Sequence, residues 1–205
     1  MPGEADVPGP GSRSSTRERV LVAAAQVFSA NGYGGATLLD ISRIVGVRQG
    51  SLYYHFPSKE VLVVELLRAG VERTSAAVKN AVNALPARAG ASTRLHRAIA
   101  EYLDQALARG SFSAAYVRII GQVPAEVRNE VEPEAREFSR YMLGLFEDAR
   151  SAGALRTDID LPTVWLLVVG AVNWTVEWPG YRKQDIGMVH ENLEKLVFGG
   201  IDRRV

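Results

Sequence analysis

No cysteine occurs anywhere in the 205 residues, which excludes a disulfide framework and any thiolate for nucleophilic or metal chemistry, and is compatible with a reducing interior. Histidine is nearly as scarce. His55, His96 and His190 are the three, far apart in the chain, with neither an HExxH pair nor a serine-centred GxSxG turn. Enzymatic chemistry therefore has little to stand on, and no cofactor or metal site is expected. His96 and His190 read as imidazoles on helix surfaces, and Glu130 with Glu132 and Asp158 with Asp160 as solvated charges in loop-like stretches. Gly32-Tyr33-Gly34-Gly35 lacks both the preceding strand and the third glycine of a dinucleotide-binding turn, so it reads as a connector.

Long apolar runs are missing too. The longest, Val164 to Val172, is nine residues, whereas a membrane helix needs about 20. No basic segment followed by an apolar stretch opens the chain, so the expectation is a soluble, cytoplasmic protein with no membrane partner. Nowhere do apolar and polar residues alternate as in a strand, and the chain reads as all-α. With 47% apolar residues there is ample material for a core. The net charge is only +1, yet it is unevenly spread. From Ser12 to Lys59, six bases (Arg13, Arg17, Arg19, Arg43, Arg48 and Lys59) face two acids, a net of +4; taking these from the chain's 24 and 23 leaves 18 and 21, or −3, elsewhere. A head that reads nucleic acid, carried on a neutral or acidic body, shows such an asymmetry.

The head centres on residues 36–59. Thr37 can cap a helix over about Leu38–Val45, with Ile41, Ile44 and Val45 as its apolar face. Gly46 ends it in the left-handed region, Val47 plugs the turn, and the small Ser42 leaves room for a second helix to approach. That second helix, about Gln49–Phe56, turns Leu52 and Phe56 inward and stops at Pro57, a helix-turn-helix pattern. Arg48, Gln49, Gly50, Ser51, Tyr53, Tyr54 and His55 remain outside. Nearly all are hydrogen-bond donors, and Gly50, which costs about 1 kcal/mol relative to Ala in an exposed helix, suits a bulky object approaching the backbone. Ser58 reads as the next cap, and Lys59 opposes the dipole of that helix unless a phosphate docks there.

Gly32-Tyr33, Ala36-Thr37, Asp40-Ile41, Gly46-Val47, Gly50 to Phe56 and Ser58-Lys59-Glu60 together closely resemble the DNA-binding domain of the TetR family of transcriptional repressors, over roughly residues 15–62. The resemblance implies that Thr37, Tyr53, His55 and Lys59 touch phosphates of a double-stranded operator and that Arg48, Gln49 and Ser51 meet base edges or flanking phosphates. Arg48 departs from the pattern, where a small capping residue is commoner, and three roles stay open for it: capping the helix, reading a guanine, or holding the backbone. Three parts are expected: a disordered tail over 1–12, a three-helix DNA-binding domain over 13–60, and a helical ligand-binding and dimerisation body over 61–205. Arg13, at the end of the tail, either reaches DNA or is idle. The first helix, about Ser15–Asn31, packs beneath the reading head.

In the body, helices are expected from Ser58 to about Leu85 and over about Thr93–Ala108, Phe112–Gly121, Pro133–Ala152, Leu161–Trp178 and Lys183–Phe198. The helix from Leu161 is apolar all round and so must be buried on two sides. Val164, Leu167 and Ala171, with Val189, Leu193, Leu196 and Val197 of the closing helix, are the expected dimer interface around a two-fold axis. A mostly apolar set with polar tips, Tyr102, Phe112, Tyr116, Ile120, Tyr141, Phe146, Asn173 and Trp174, is the expected lining of a pocket for a small effector. Residues 170–182 with Phe198-Gly199-Gly200-Ile201 are similar to regulators of lipid or steroid breakdown within the same family. Some of those respond to acyl-CoA thioesters, so the effector this implies is an acyl-CoA, with Arg118, Arg128, Arg182 and Lys183 as scattered cations for its phosphates. The competing reading is a helical adaptor that binds protein partners without sequence-specific DNA recognition.

Overall fold

The computed structural model describes residues 16–108, 110–175 and 186–202. The tail over 1–12, Arg13, Trp178, Arg182 and Lys183 lie outside the described residues, as do the side chains of Asn173 and His190. Nine helices form the described chain: α1 Thr16–Gly35, α2 Leu38–Val45, α3 Gln49–His55, α4 Lys59–Asn83, α5 Ala91–Leu107, α6 Phe112–Ile119, α7 Ala125–Ser151, α8 Leu161–Thr175 and α9 Ile186–Ile201. Helices α1 to α3 with the first turns of α4 make a head; α4 runs on into a body in which it packs against α5, α6 and α7. Among the described residues the one β contact is an isolated bridge between Leu155 and Asp202.

A seven-residue helix such as α3 has no independent stability. Leu52 and Phe56 hold it, both fully buried, and each contributes about 1.5–3 kcal/mol through that burial. They belong to the same core as Phe28 of α1, Ile41 of α2 and Leu62 of α4. Thr37 caps α2 by accepting from the Asp40 amide at 3.1 Å, and Gly46 closes it at φ 73°. Ser42 is buried, its hydroxyl donating to the Leu39 carbonyl at 2.8 Å. Ile44, expected on the buried face, is 56% exposed: Leu38, Ile41 and Val45 already fill the i, i+3, i+7 stripe, and Ile44 falls to one side of it.

Ion pairs bind head to body. Arg17 forms a two-pronged pair with Glu65, Arg73 reaches Glu18 at 2.7 Å, and Arg19 donates to the Val45 carbonyl at 2.6 Å. Two bases of the positive head, Arg17 and Arg19, are thus engaged within the protein; Arg48 is exposed, as is Arg43, which lies 3.7 Å from the Asp40 carboxylate. Helix α7 begins at Ala125, eight residues before the expected start, and carries Pro133 inside it. Both Pro133 and Asn129 are exposed, so the carbonyl that loses its partner to the proline faces water and the helix continues.

Helix α8 divides as its composition requires. Leu161, Trp165, Val168 and Val172 turn into the core, while Leu166 and Leu167 are each 67% exposed and Trp174 is 66% exposed. His96 is a packed residue rather than a solvated one. It stacks on Phe198 with ring centroids 3.4 Å apart and lies 3.5 Å from the Asp202 carboxylate, which fastens the end of α9 to α5.

Candidate nucleic-acid interface and body cavity

Helix α3 presents the donors expected of it. Arg48, Gln49, Gly50, Ser51, Tyr53 and Tyr54 are all exposed, and His55 is half-buried. Tyr54 stands furthest out, at 85% exposure, with its ring edge-on to His55 at 5.4 Å. A β-carbon built on Gly50 would meet nothing within 4 Å, so the surface there is open to a partner's close approach. Arg48 occupies the N-cap position of α3 without a side-chain capping bond. Of its three open roles, capping drops out, and the guanidinium is left outside. Exposed Thr37 flanks α3 at the start of α2, its hydroxyl also donating to Asp40 Oδ2 at 2.6 Å.

Lys59 sits differently from a plain surface cation. Its Nζ donates to the Tyr33 carbonyl at 2.5 Å and lies 4.2 Å from the Tyr33 ring centroid. Burial pulls this ammonium below the ordinary lysine range, with Glu60 opposing. An ammonium has three donors, so two remain. Glu60 is held below the usual carboxylate range, first by its own backbone N–H and next by the Ser58 hydroxyl. Burial pushes the Tyr33 phenol up, reinforced by Glu60, which it contacts at 3.3 Å.

The connector before α2 is tied to the body by a residue that motif reading does not flag. At Gly32 α1 breaks, with φ 69° and ψ −179°, which aims the Tyr33 amide at Gln122 Oε1, 2.9 Å away. A β-carbon on Gly32 would come within 2.8 Å of that same oxygen. Gln122 is steadied from behind by its Nε2 donating to the Arg118 carbonyl of α6 at 2.8 Å. The end of α6 therefore grips the turn that leads into the reading head.

At its other end α6 walls a cavity of about 90 Å³. Its apolar lining includes Val71, Val117, Phe138, Trp165 and Val169, and its polar lining is entirely hydroxyl: Thr74, Tyr102, Ser113, Tyr116 and Ser139. Gly70 lets α4 and α6 close up here, since an added β-carbon would lie 2.9 Å from the Phe112 carbonyl oxygen. Thr74 donates to the Gly70 carbonyl at 2.8 Å and stands 2.6 Å from Ser113 Oγ. Ser139 accepts from Trp165 Nε1 at 3.2 Å. Burial drives the Tyr102 phenol far above its usual range, with Tyr116 adding to the effect, and burial raises Tyr116 as well.

Of the pocket residues expected from sequence, only Tyr102 and Tyr116 are among those lining this cavity. Phe146 is fully enclosed in the core, and Phe112 turns away beneath Arg73, whose guanidinium carbon is 3.7 Å from the ring centroid. Tyr141 lies under Lys79 at 5.5 Å, Ile120 packs against the outer core, and Trp174 faces outward. The Asn173 side chain is outside the described set. Thr74, Ser113 and Ser139 were missed because single hydroxyls inside helices carry no distinctive spacing. Of the expected interface residues, Leu167 and Leu196 are 67% and 75% exposed, and Val164, Ala171, Leu193 and Val197 are half-buried. Val189 is buried within its own chain at 8% exposure, whereas Met188, its neighbour, is 61% exposed.

Among the described residues, no group of His, Asp or Glu side chains is placed to hold a metal ion, and no helix is long and apolar enough to cross a membrane.

Comparison with known proteins adds to this geometry. Residues 20–66 match the model for bacterial regulatory proteins of the tetR family, and residues 88–184 match a tetracyclin repressor-like C-terminal domain. The chain is 25% identical over 194 residues to the HTH-type transcriptional repressor KstR2 of Mycolicibacterium smegmatis, covering 94% of this chain and 93% of that one. In structure it superposes on the ketosteroid transcriptional regulator KstR2 of Mycobacterium tuberculosis with a TM-score of 0.75 at 23% identity, covering 95% and 98% of the two chains. It also superposes on the transcriptional regulator FadR of Bacillus subtilis in complex with stearoyl-CoA, with a TM-score of 0.73 at 18% identity, covering 89% and 98%.

Proposed function

The chain belongs to the TetR family of transcriptional regulators, and from that premise we propose that it is a repressor that binds a palindromic operator as a homodimer and leaves it when a small apolar or amphipathic effector enters the body. The observation that carries this reading is the outer surface of α3: a run of exposed donors on a helix that only Leu52 and Phe56 keep folded. Tyr53, His55, Thr37 and the two spare donors of Lys59 serve as phosphate contacts, and Arg48, Gln49 and Ser51 face base edges. One such helix touches few bases. Two of them, about 34–36 Å apart, meet successive major grooves on one side of the duplex.

Pairing uses the outward face of α8 and α9. Leu166, Leu167 and Trp174 of α8 and Met188 and Leu196 of α9 are large apolar side chains left exposed on the single chain, as those of a protein interface are before it is covered. The effector enters the hydroxyl-dotted cavity against α6. Because Gln122 links α6 to the connector before α2, a ligand that shifts α6 changes how the two heads are spaced. By linkage, effector and operator then weaken each other by the same factor. An acyl-CoA is the effector that the likeness to FadR brings to mind for this chain. Its phosphates would have to stay outside, since no cation among the described residues lines the cavity.

The adaptor reading is separated from this one by replacing Arg48 and Tyr53 with alanine. A DNA reader loses binding to operator duplex while remaining dimeric; an adaptor loses nothing measurable on DNA because it had none. Selection of bound duplexes from a random library supplies the operator for the measurement.

A further inference from the structure

The body cavity is unusual in the balance of its hydrogen-bonding groups. Thr74 has one hydroxyl hydrogen, and it goes to the Gly70 carbonyl. The 2.6 Å contact between Thr74 and Ser113 must then be made with the hydrogen of Ser113. Both hydrogens are spent. Ser139 accepts from Trp165 but its own hydrogen has no acceptor among the described residues, and the Tyr102 and Tyr116 hydroxyls have no hydrogen-bond partner there at all. Three O–H donors therefore line an apolar space in want of acceptors. Tyr102 is buried and Tyr116 and Ser139 are half-buried, so each hydroxyl can give its hydrogen to an acceptor that enters the cavity.

The same environment rejects charge. Among the described residues no Lys, Arg or His lines the cavity, so an anion there would lose its hydration without gaining a counterion from them. Burial raises both phenols, Tyr102 and Tyr116, above their ordinary range, in keeping with a space that disfavours charge. Size sets a second limit. A volume of about 90 Å³ holds roughly six to nine water-sized groups at about 10–15 Å³ for each probe position.

Taking the cavity as the effector site proposed above, we infer that the part of the effector seated there is uncharged and compact, and carries an oxygen acceptor, such as a ketone, bonded by the Tyr102, Tyr116 and Ser139 hydroxyls. A carboxylate end is excluded, and a long unsubstituted acyl chain leaves the donors unpaired. This deepens the effector reading and can fail while the operator reading stands.

Three ring compounds of similar size test it on the full-length protein: cyclohexanone, methylcyclohexane and cyclohexanecarboxylate, with binding followed by ligand-observed NMR. Cyclohexanone is expected to bind about tenfold more tightly than methylcyclohexane, the factor one or two net hydrogen bonds supply, and cyclohexanecarboxylate not measurably. Tyr102→Phe combined with Tyr116→Phe is expected to erase the ketone's advantage and leave methylcyclohexane binding unchanged. In the ligand-free protein the double variant should melt no lower than the parent, because it removes hydroxyls that have no partner. The inference is overturned if the carboxylate binds as well as the ketone, if the double variant keeps the ketone preference, or if none of the three binds. Operator binding by the same preparation is measured alongside, so that failure of the regulator reading registers separately as loss of duplex binding.

Discussion

Arg48 and Lys59 show how two cations within a dozen residues come to different tasks. Arg48 has no bond within the cap it occupies and projects from the start of α3, where a planar fork can read a guanine edge. Arg48→Ala should weaken operator binding by about 1–3 kcal/mol and relax the base preference at one position of each half-site, checked by competition with singly altered duplexes. Lys59 is part structural, one donor being held by the Tyr33 carbonyl. Lys59→Met should weaken binding evenly across sequences and lower the salt slope by about one for each protomer. Gly46, at φ 73°, is a backbone requirement only. Gly46→Ala should destabilise by about 1–2 kcal/mol, lowering Tm by roughly 2–4 °C per kcal/mol in a chain of this size.

Helix α6 is the element through which the cavity and the reading head meet. Ser113 and Tyr116 on it line the cavity, and Gln122 just beyond it holds the Tyr33 amide. Gln122→Ala should speed hydrogen exchange at Tyr33 while protection in α5 and α7 is unchanged, and should weaken the response of operator binding to any cavity ligand. Helix α8 has its own anchor: Asp160 Oδ2 accepts from the Thr163 amide at 2.9 Å and from its hydroxyl at 2.6 Å. The Thr163 hydroxyl first, and then its amide, hold the Asp160 carboxyl below the usual carboxylate range. A depressed acid stabilises the fold above its unfolded pKa and loses that contribution as pH falls through the folded value. Amide exchange in the first turn of α8 should therefore accelerate only below about pH 4, and Asp160→Asn should remove most of that pH dependence.

The helices and the exposed face of α3 were legible because local chemistry dictates them. Thr37, Gly46 and Ser58 are cap signals that read the same in one dimension as in three, and Leu52 with Phe56 betrays which side of α3 is buried. The start of α7 was not legible, because Pro133 looks like a boundary until one knows that Asn129 and Pro133 both face water. The cavity was least legible. Its polar residues come from α4, α5, α6 and α7, and only the packing of those helices, made close by Gly70, brings Thr74, Tyr102, Ser113 and Ser139 together. Trp174, placed in the cavity by its aromatic character, instead belongs to the outward face of α8.

At the scale of the whole molecule, the head is joined to the body by the continuous helix α4, by packing of α1 on α6, by ion pairs and by Gln122, and on the reading proposed above the exposed apolar residues of α8 and α9 pair with a second copy. Leu167→Glu together with Leu196→Glu should give a folded monomer by sedimentation and reduce operator affinity by orders of magnitude, since each head would then bind alone. The central claim, that the exposed face of α3 docks on DNA, is tested most directly by the salt dependence of binding to a duplex selected from a random library. If each dimer neutralises about 6–10 phosphates, affinity should fall about 10³–10⁵-fold between 50 and 200 mM salt. Failure of the folded, dimeric protein to bind any duplex at the lower salt, or binding indifferent to salt, would contradict it.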